Sequence, residues 1–193
     1  MRVIRNIFKR WHVYITWALL STIFMGWIFT FLTDTTPAHK ITMYIHAYTL
    51  EDQALSMKLE EALPEGIRMV KVHSFDYALF GQTGFVDADM FLISASEIES
   101  YLTDFMSLEE CAEKHPELTY YYDEGGVPCG IRVYDSETEE GIAMTYITYK
   151  IPEALGRAPE DYYLFFGKEG FHNGLDDQDE AAFEMAENFM GLE

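Results

Sequence analysis

Between Trp11 and Thr33 the chain carries no Asp, Glu, Lys or Arg. The run WHVYITWALLSTIFMGWIFTFLT is built mainly of Trp, Ile, Leu, Phe, Val and Met. About 20 apolar residues in a helix rising about 1.5 Å per residue cross a hydrocarbon core of about 30 Å. Trp11 and Trp27 stand near the two ends, where amphipathic rings favour the membrane interface. A cleaved signal peptide shares the basic start and the apolar stretch, but its apolar core runs to only about 7–15 residues. Phe31-Leu32-Thr33-Asp34 also lacks the small residues that signal peptidase reads, and no Cys follows to accept a lipid. Residues 11–33 are therefore expected to form an uncleaved transmembrane signal-anchor, with a buried helix of a soluble protein as the lesser alternative.

Charge divides along the same boundary. Arg2, Arg5, Lys9 and Arg10 precede the apolar run, and no acid precedes Asp34. From residue 34 onward nine basic residues face thirty-three acidic ones, a balance of −24. The positive-inside bias assigns residues 1–10 to the cytoplasm and the acidic body to the outside of the cell membrane. The expected organisation is a basic head at 1–10, the spanning helix at 11–33, a linker with Pro37 at 34–39, and one extracellular domain at 40–193. So acidic a body excludes nucleic acid as a partner, because phosphate binding needs clustered Lys and Arg.

Within the body, KITMYIHAY (40–48), IRMVKV (67–72), ADMFLIS (88–94), GIRVY (130–134), 142–149 and YYLFF (162–166) read as strands. Thr49-Leu50-Glu51-Asp52, Ser96-Glu97-Ile98-Glu99 and Ser107-Leu108-Glu109-Glu110 read as helix-opening capping boxes. Leu55, Leu59, Ala62 and Leu63 fall on one helical face, and Ile98, Tyr101, Leu102 and Phe105 on another. A last helix follows Asp177-Gln178-Asp179-Glu180, with Ala182, Phe183, Met185, Ala186, Phe189 and Met190 as its apolar set. Residues 73–86, broken by Gly81 and Gly84, read as a loop. Strands alternating with helices imply an α/β domain of three layers around a mixed, mostly parallel sheet.

Several phrases resemble extracellular solute-binding proteins of ABC importers, of the type II periplasmic-binding-protein class. ADMFLISASEIESYLTDFMSLEE is similar to their strand opening on AD(L/M)(F/Y), followed by a helix and F-x-x-L-(D/E)-E. GVPCGIRVYD resembles their G-x-x-Y-G-I-P-V strand leaving the first lobe, with Cys129 where an aromatic residue is frequent and Arg132 where Pro is. EDYYLFFGKEG and the acidic-capped last helix resemble their return to that lobe. Only 27 residues, Asp135 to Asp161, separate exit from return. The resemblance thus implies one lobe of a binding protein, held by a membrane helix.

Ligands of open α/β sheets bind beyond the carboxyl ends of strands. That rule selects Tyr48 and Thr49 after the first strand, and Ser94 and Ser96 after the third. The competing reading is that Thr49 and Ser96 are ordinary helix caps. Cys111 and Cys129 could close a disulfide or remain free thiols, since spacing alone does not decide. HNGLDDQDE (172–180) lacks the D-x-D-x-D-G spacing of a calcium loop and reads as helix capping. No G-x-S-x-G, S-x-x-K, P-loop or HExxH occurs, so neither a catalytic role nor a metal or cofactor is expected. All three Trp lie in the apolar run, which disfavours a sugar-stacking platform in the body. Two roles remain: recognition of a small solute or peptide, or service as an accessory subunit of a membrane complex such as a transporter, acting through a membrane-protein partner.

Overall fold

A computed structural model describes residues 11–33, 35–75, 87–151, 155–175 and 179–192. The chain divides into two units, Met1–Thr36 and Pro37–Glu193. In the first, α1 (Trp11–Thr33) is one unbroken helix, and from Trp11 to Phe29 it is long and apolar enough to cross a membrane. The hydroxyls of Thr16 and Thr22 donate back to the carbonyls of His12 and Ala18, each at 2.9 Å. These polar groups are thus satisfied inside the helix, as an apolar surrounding requires.

The second unit is an α/β domain around a seven-stranded sheet. Its strands are β1 (Lys40–Ile45), β3 (Met69–Ser74), β4 (Met90–Ser94), β5 (Tyr120–Tyr122), β6 (Pro128–Asp135), β7 (Glu140–Gly141) and β9 (Tyr162–Phe166). The order is β3-β1-β4-β9-β6-β5, with β7 paired to β6. β1 runs parallel to β3 and to β4, whereas the pairs β4·β9, β9·β6, β6·β5 and β6·β7 are antiparallel. β1, β3, β4 and β6 therefore share one direction and β5, β7 and β9 the other. A separate two-stranded sheet joins β2 (Thr49–Leu50) to β8 (Ile147–Thr148).

Alternation builds the two faces. Ile41, Met43 and Ile45, Val70 and Val72, Met90 and Leu92, and Leu164 and Phe166 point to one core. α2 (Asp52–Leu59) covers it with Leu55 and Leu59, and α4 (Ala181–Met190) with Ala182, Met185, Ala186 and Phe189. α3 (Glu109–Lys114) flanks the same side through Cys111 and Ala112. Phe91, Ile93 and Phe165 face the opposite way and pack with Phe75, Ile98, Tyr101 and Phe105. The three layers expected from the sequence are present, and β4, buried at every position, is the doubly covered strand.

Three local expectations need correction. Residues 95–104 are not an α-helix but two 3-10 segments, Ala95–Ser100 and Leu102–Asp104. The chain is drawn out of helical register beyond them, because Met106 N–H donates to the Phe166 carbonyl and Lys168 N–H to the Asp104 carbonyl. Thr49 does not cap α2. It belongs to β2, and the helix begins at Asp52 after Glu51. Residues 142–149 are not one strand, because Ile147 N–H turns back onto the Ala143 carbonyl and leaves only β8 within that span. The loop expected at 73–86 lies mostly outside the described residues.

For Cys111 and Cys129, spacing left a disulfide and free thiols both open. Both cysteines are free thiols. Cys111 packs toward the helical face of the sheet and Cys129 into the aromatic cluster on the other. Burial pushes the Cys129 thiol up to about 11.

Candidate functional site

The first crossover leaves β1 by α2, on the helical face. The chain leaves β4 through residues 95–105, whose Ile98, Tyr101 and Phe105 pack on the opposite face. Connections that depart to opposite sides open a crevice between the carboxyl ends of the two strands. His46 and Ser94 stand at that crevice. His46 N–H donates to the Leu92 carbonyl at 2.7 Å, and Phe75 N–H to the Ile45 carbonyl at 2.8 Å, extending the ladder past β1 on both sides. His46 Nδ1 and Ser94 Oγ lie 3.2 Å apart in hydrogen-bonding geometry. The imidazole sits among the rings of Phe75 and Tyr162, at 6.0 and 6.1 Å between centroids.

Burial lowers the His46 pKa. The charge of Arg157 acts in the same direction, while Glu97 and Glu160 oppose it. At neutral pH the ring is therefore a neutral group able both to donate and to accept. Burial pushes the Tyr162 phenol up to about 12, and its O–H donates to the Tyr149 carbonyl at 3.2 Å.

In front of His46 a groove of about 400 Å³ opens to solvent. His46, Ala47 and Tyr48 form one wall, and Ile151, Leu155, Arg157 and Tyr162 the other. The small β2·β8 sheet positions Tyr48, whose N–H donates to the Thr148 carbonyl at 2.9 Å. Tyr48 lines this groove and is 49% exposed. The arrangement offers an exposed aromatic ring, a neutral imidazole and a guanidinium around one concave surface.

Of the four residues selected from the sequence, the structure brings Tyr48 and Ser94 to this crevice in different capacities. Tyr48 lines the groove directly. Ser94 is 2% exposed and reaches the groove only through His46. Thr49 lies in the β2·β8 ladder. Ser96 is turned aside, its hydroxyl donating to Glu160 Oε2 at 2.6 Å. Arg157 and Tyr162 were not selected. Nothing in the periodicity marks them, although Arg157 is one of only nine cations in a strongly acidic body. Among the described residues no group of three His, Cys, Asp or Glu side chains converges as a metal-ligand set. The 172–180 segment is described except at 176–178. There Asp179 accepts from Ala181 N–H at 3.2 Å and pairs with His172 Nδ1 at 2.7 Å, at the start of α4.

No family model matches the chain, and no curated protein matches it. Among solved structures it is similar to the N-glycan transport solute binding protein NgtS from Streptococcus pneumoniae, in complex with Man1GlcNAc. Identity is 16%, the TM-score is 0.33, and the match covers 50% of this chain and 25% of that one. The matched region thus spans about a quarter of that protein's length.

Proposed function

We propose that this chain is a membrane-anchored, extracellular, non-catalytic recognition domain that takes a small solute or a peptide terminus into the groove at the carboxyl ends of β1 and β4. The observation that carries the reading is that groove, about 400 Å³ in volume and bounded by Tyr48, His46, Tyr162 and Arg157. Its position agrees with the crevice where open α/β sheets hold ligands. Its lining suits a solute with a flat or apolar face for Tyr48 and an anionic or carbonyl oxygen for Arg157. His46, buttressed by Ser94, supplies a second polar contact inside. Thr49 and Ser96 support the two walls rather than touch the solute. Anchoring rests on α1, whose length and internal hydroxyl bonding suit a bilayer, and the side follows from the basic residues before it.

Calorimetry on the full chain in nanodiscs, against amino acids, short peptides and sugars, tests the reading. Tyr48→Ala and Arg157→Ala are each expected to weaken binding of any active compound about tenfold or more. Absence of heat with every compound would sink the solute role.

A further inference from the structure

A second groove runs along the helical face of the sheet between α3 and α4, enclosing about 450 Å³. Buried Phe166 and Ile131 form its floor. Met106 and Leu118 wall the α3 side, Phe183 and Met190 the α4 side, and exposed Leu175 closes one end. Phe183 stacks on Phe166 with centroids 4.3 Å apart. This groove shares no lining residue with the ligand groove, and the two meet opposite ends of β9.

α4 accounts for the shape. One stripe of it, with Ala182, Met185 and Phe189, packs on the sheet. A second, formed by Phe183, Ala186, Glu187 and Met190 at i, i+3, i+4 and i+7, lines the groove. A surface helix with only one partner ordinarily carries a single apolar stripe. The rim is anionic. Glu109 and Glu110 on α3 and Glu180 and Glu187 around α4 are exposed, against one cation, Lys114. Among the described residues no cation pairs with any of these four carboxylates.

We propose that this groove docks an amphipathic helix of a partner protein, its apolar stripe filling the strip between α3 and α4 and its Lys or Arg flanks meeting the four glutamates. Two helices form the walls and present side chains rather than a free strand edge, which is the helix-in-groove mode of recognition. A second copy of this chain is disfavoured as occupant, because one body of balance −24 would meet another across an acidic rim.

The test uses full chain in zwitterionic nanodiscs, with empty nanodiscs as control. Three labelled synthetic peptides of about 16 residues, about four turns, serve as probes. One joins a Leu/Ile stripe to Lys flanks, one joins the same stripe to Glu flanks, and one scrambles the Lys peptide. The Lys peptide is expected to bind at least about tenfold more tightly than either control. It should also slow alkylation of Cys111, which lines the groove, and leave Cys129 unaffected. The double variant Glu110→Lys/Glu187→Lys, with unchanged circular dichroism, is expected to lose at least about tenfold, and Phe183→Ala to lose affinity as well. Tyr48→Ala should leave peptide binding intact. No binding, equal binding of the three peptides, an unprotected Cys111, or loss with Tyr48→Ala would each overturn the proposal. So would concentration-dependent dimerisation that blocks the peptide.

Discussion

At the residue scale, two polar side chains, buried Asp89 and half-buried His46, do different work at opposite ends of the sheet. Asp89, 2% exposed, accepts N–H bonds from Thr42 at 2.8 Å, Phe171 at 2.9 Å and His172 at 3.2 Å. Burial raises its pKa while those three bonds pull it down, and the net direction is upward. Asp89→Ala leaves three N–H donors, that of His172 buried and the other two part-buried, without their acceptor and is expected to cost about 3 kcal/mol or more in urea unfolding. Asp89→Asn retains an oxygen for two of the donors and should cost less. His46 behaves oppositely with pH. Its folded pKa lies below the ordinary value near 6.5. The unfolded chain therefore takes up the proton first, and the stability held above that value is lost as pH falls below it. Melting temperature of wild type is expected to drop faster than that of His46→Gln between about pH 7 and pH 5. Equal slopes would show that folding does not lower the His46 pKa.

At the element scale, β6 and β9 meet through a missing side chain. A Cβ on Gly130 would lie 2.6 Å from the Phe165 ring. Gly130→Ala must therefore displace that ring, itself stacked on Phe105 at 4.5 Å, and is expected to lose about 1–3 kcal/mol by calorimetric melting. The same scale explains what could be read from residue order. β1, β4 and β9 were legible because their β-branched and aromatic runs match the burial each strand receives. α4 was legible because its apolar set keeps helical spacing. Thr49 and Ser96 misled because a capping box is a local signal, and longer-range partners claimed both residues, Thr148 for the first and Glu160 for the second. Ile98, Tyr101 and Phe105 are all buried, but across two short 3-10 segments and the residues that flank them rather than on one α-helix. The strand-end rule selected Tyr48, which lines the groove. Arg157 and Tyr162 enter the crevice only because β9 returns beside β4, which no local pattern announces.

At the scale of the whole molecule, −20 is a sum over two unlike units. Four of the thirteen basic residues lie before α1, and all thirty-three acids lie after it. If α1 anchors the chain, alkaline carbonate should leave the full protein in the membrane pellet and release a variant lacking residues 11–33. Protease added outside intact cells should degrade the body and spare a tag on the N-terminus. Release of the full chain by carbonate would count against the anchor.

The place of β9 in the sheet also sets an order of events during synthesis. β9 bonds to β4 on one side and β6 on the other, yet it is translated after both. While a ribosome is still making residues 140–160, the group β3-β1-β4 and the group β6-β5 each present an unsatisfied inner edge. Such edges pair readily with foreign strands. The growing chain must therefore wait, exposed, for five residues, Tyr162 to Phe166, that close both edges at once. A chain interrupted before them would hold two half-sheets with nothing to join them, and quality control would meet it as an aggregation hazard rather than as a shortened domain.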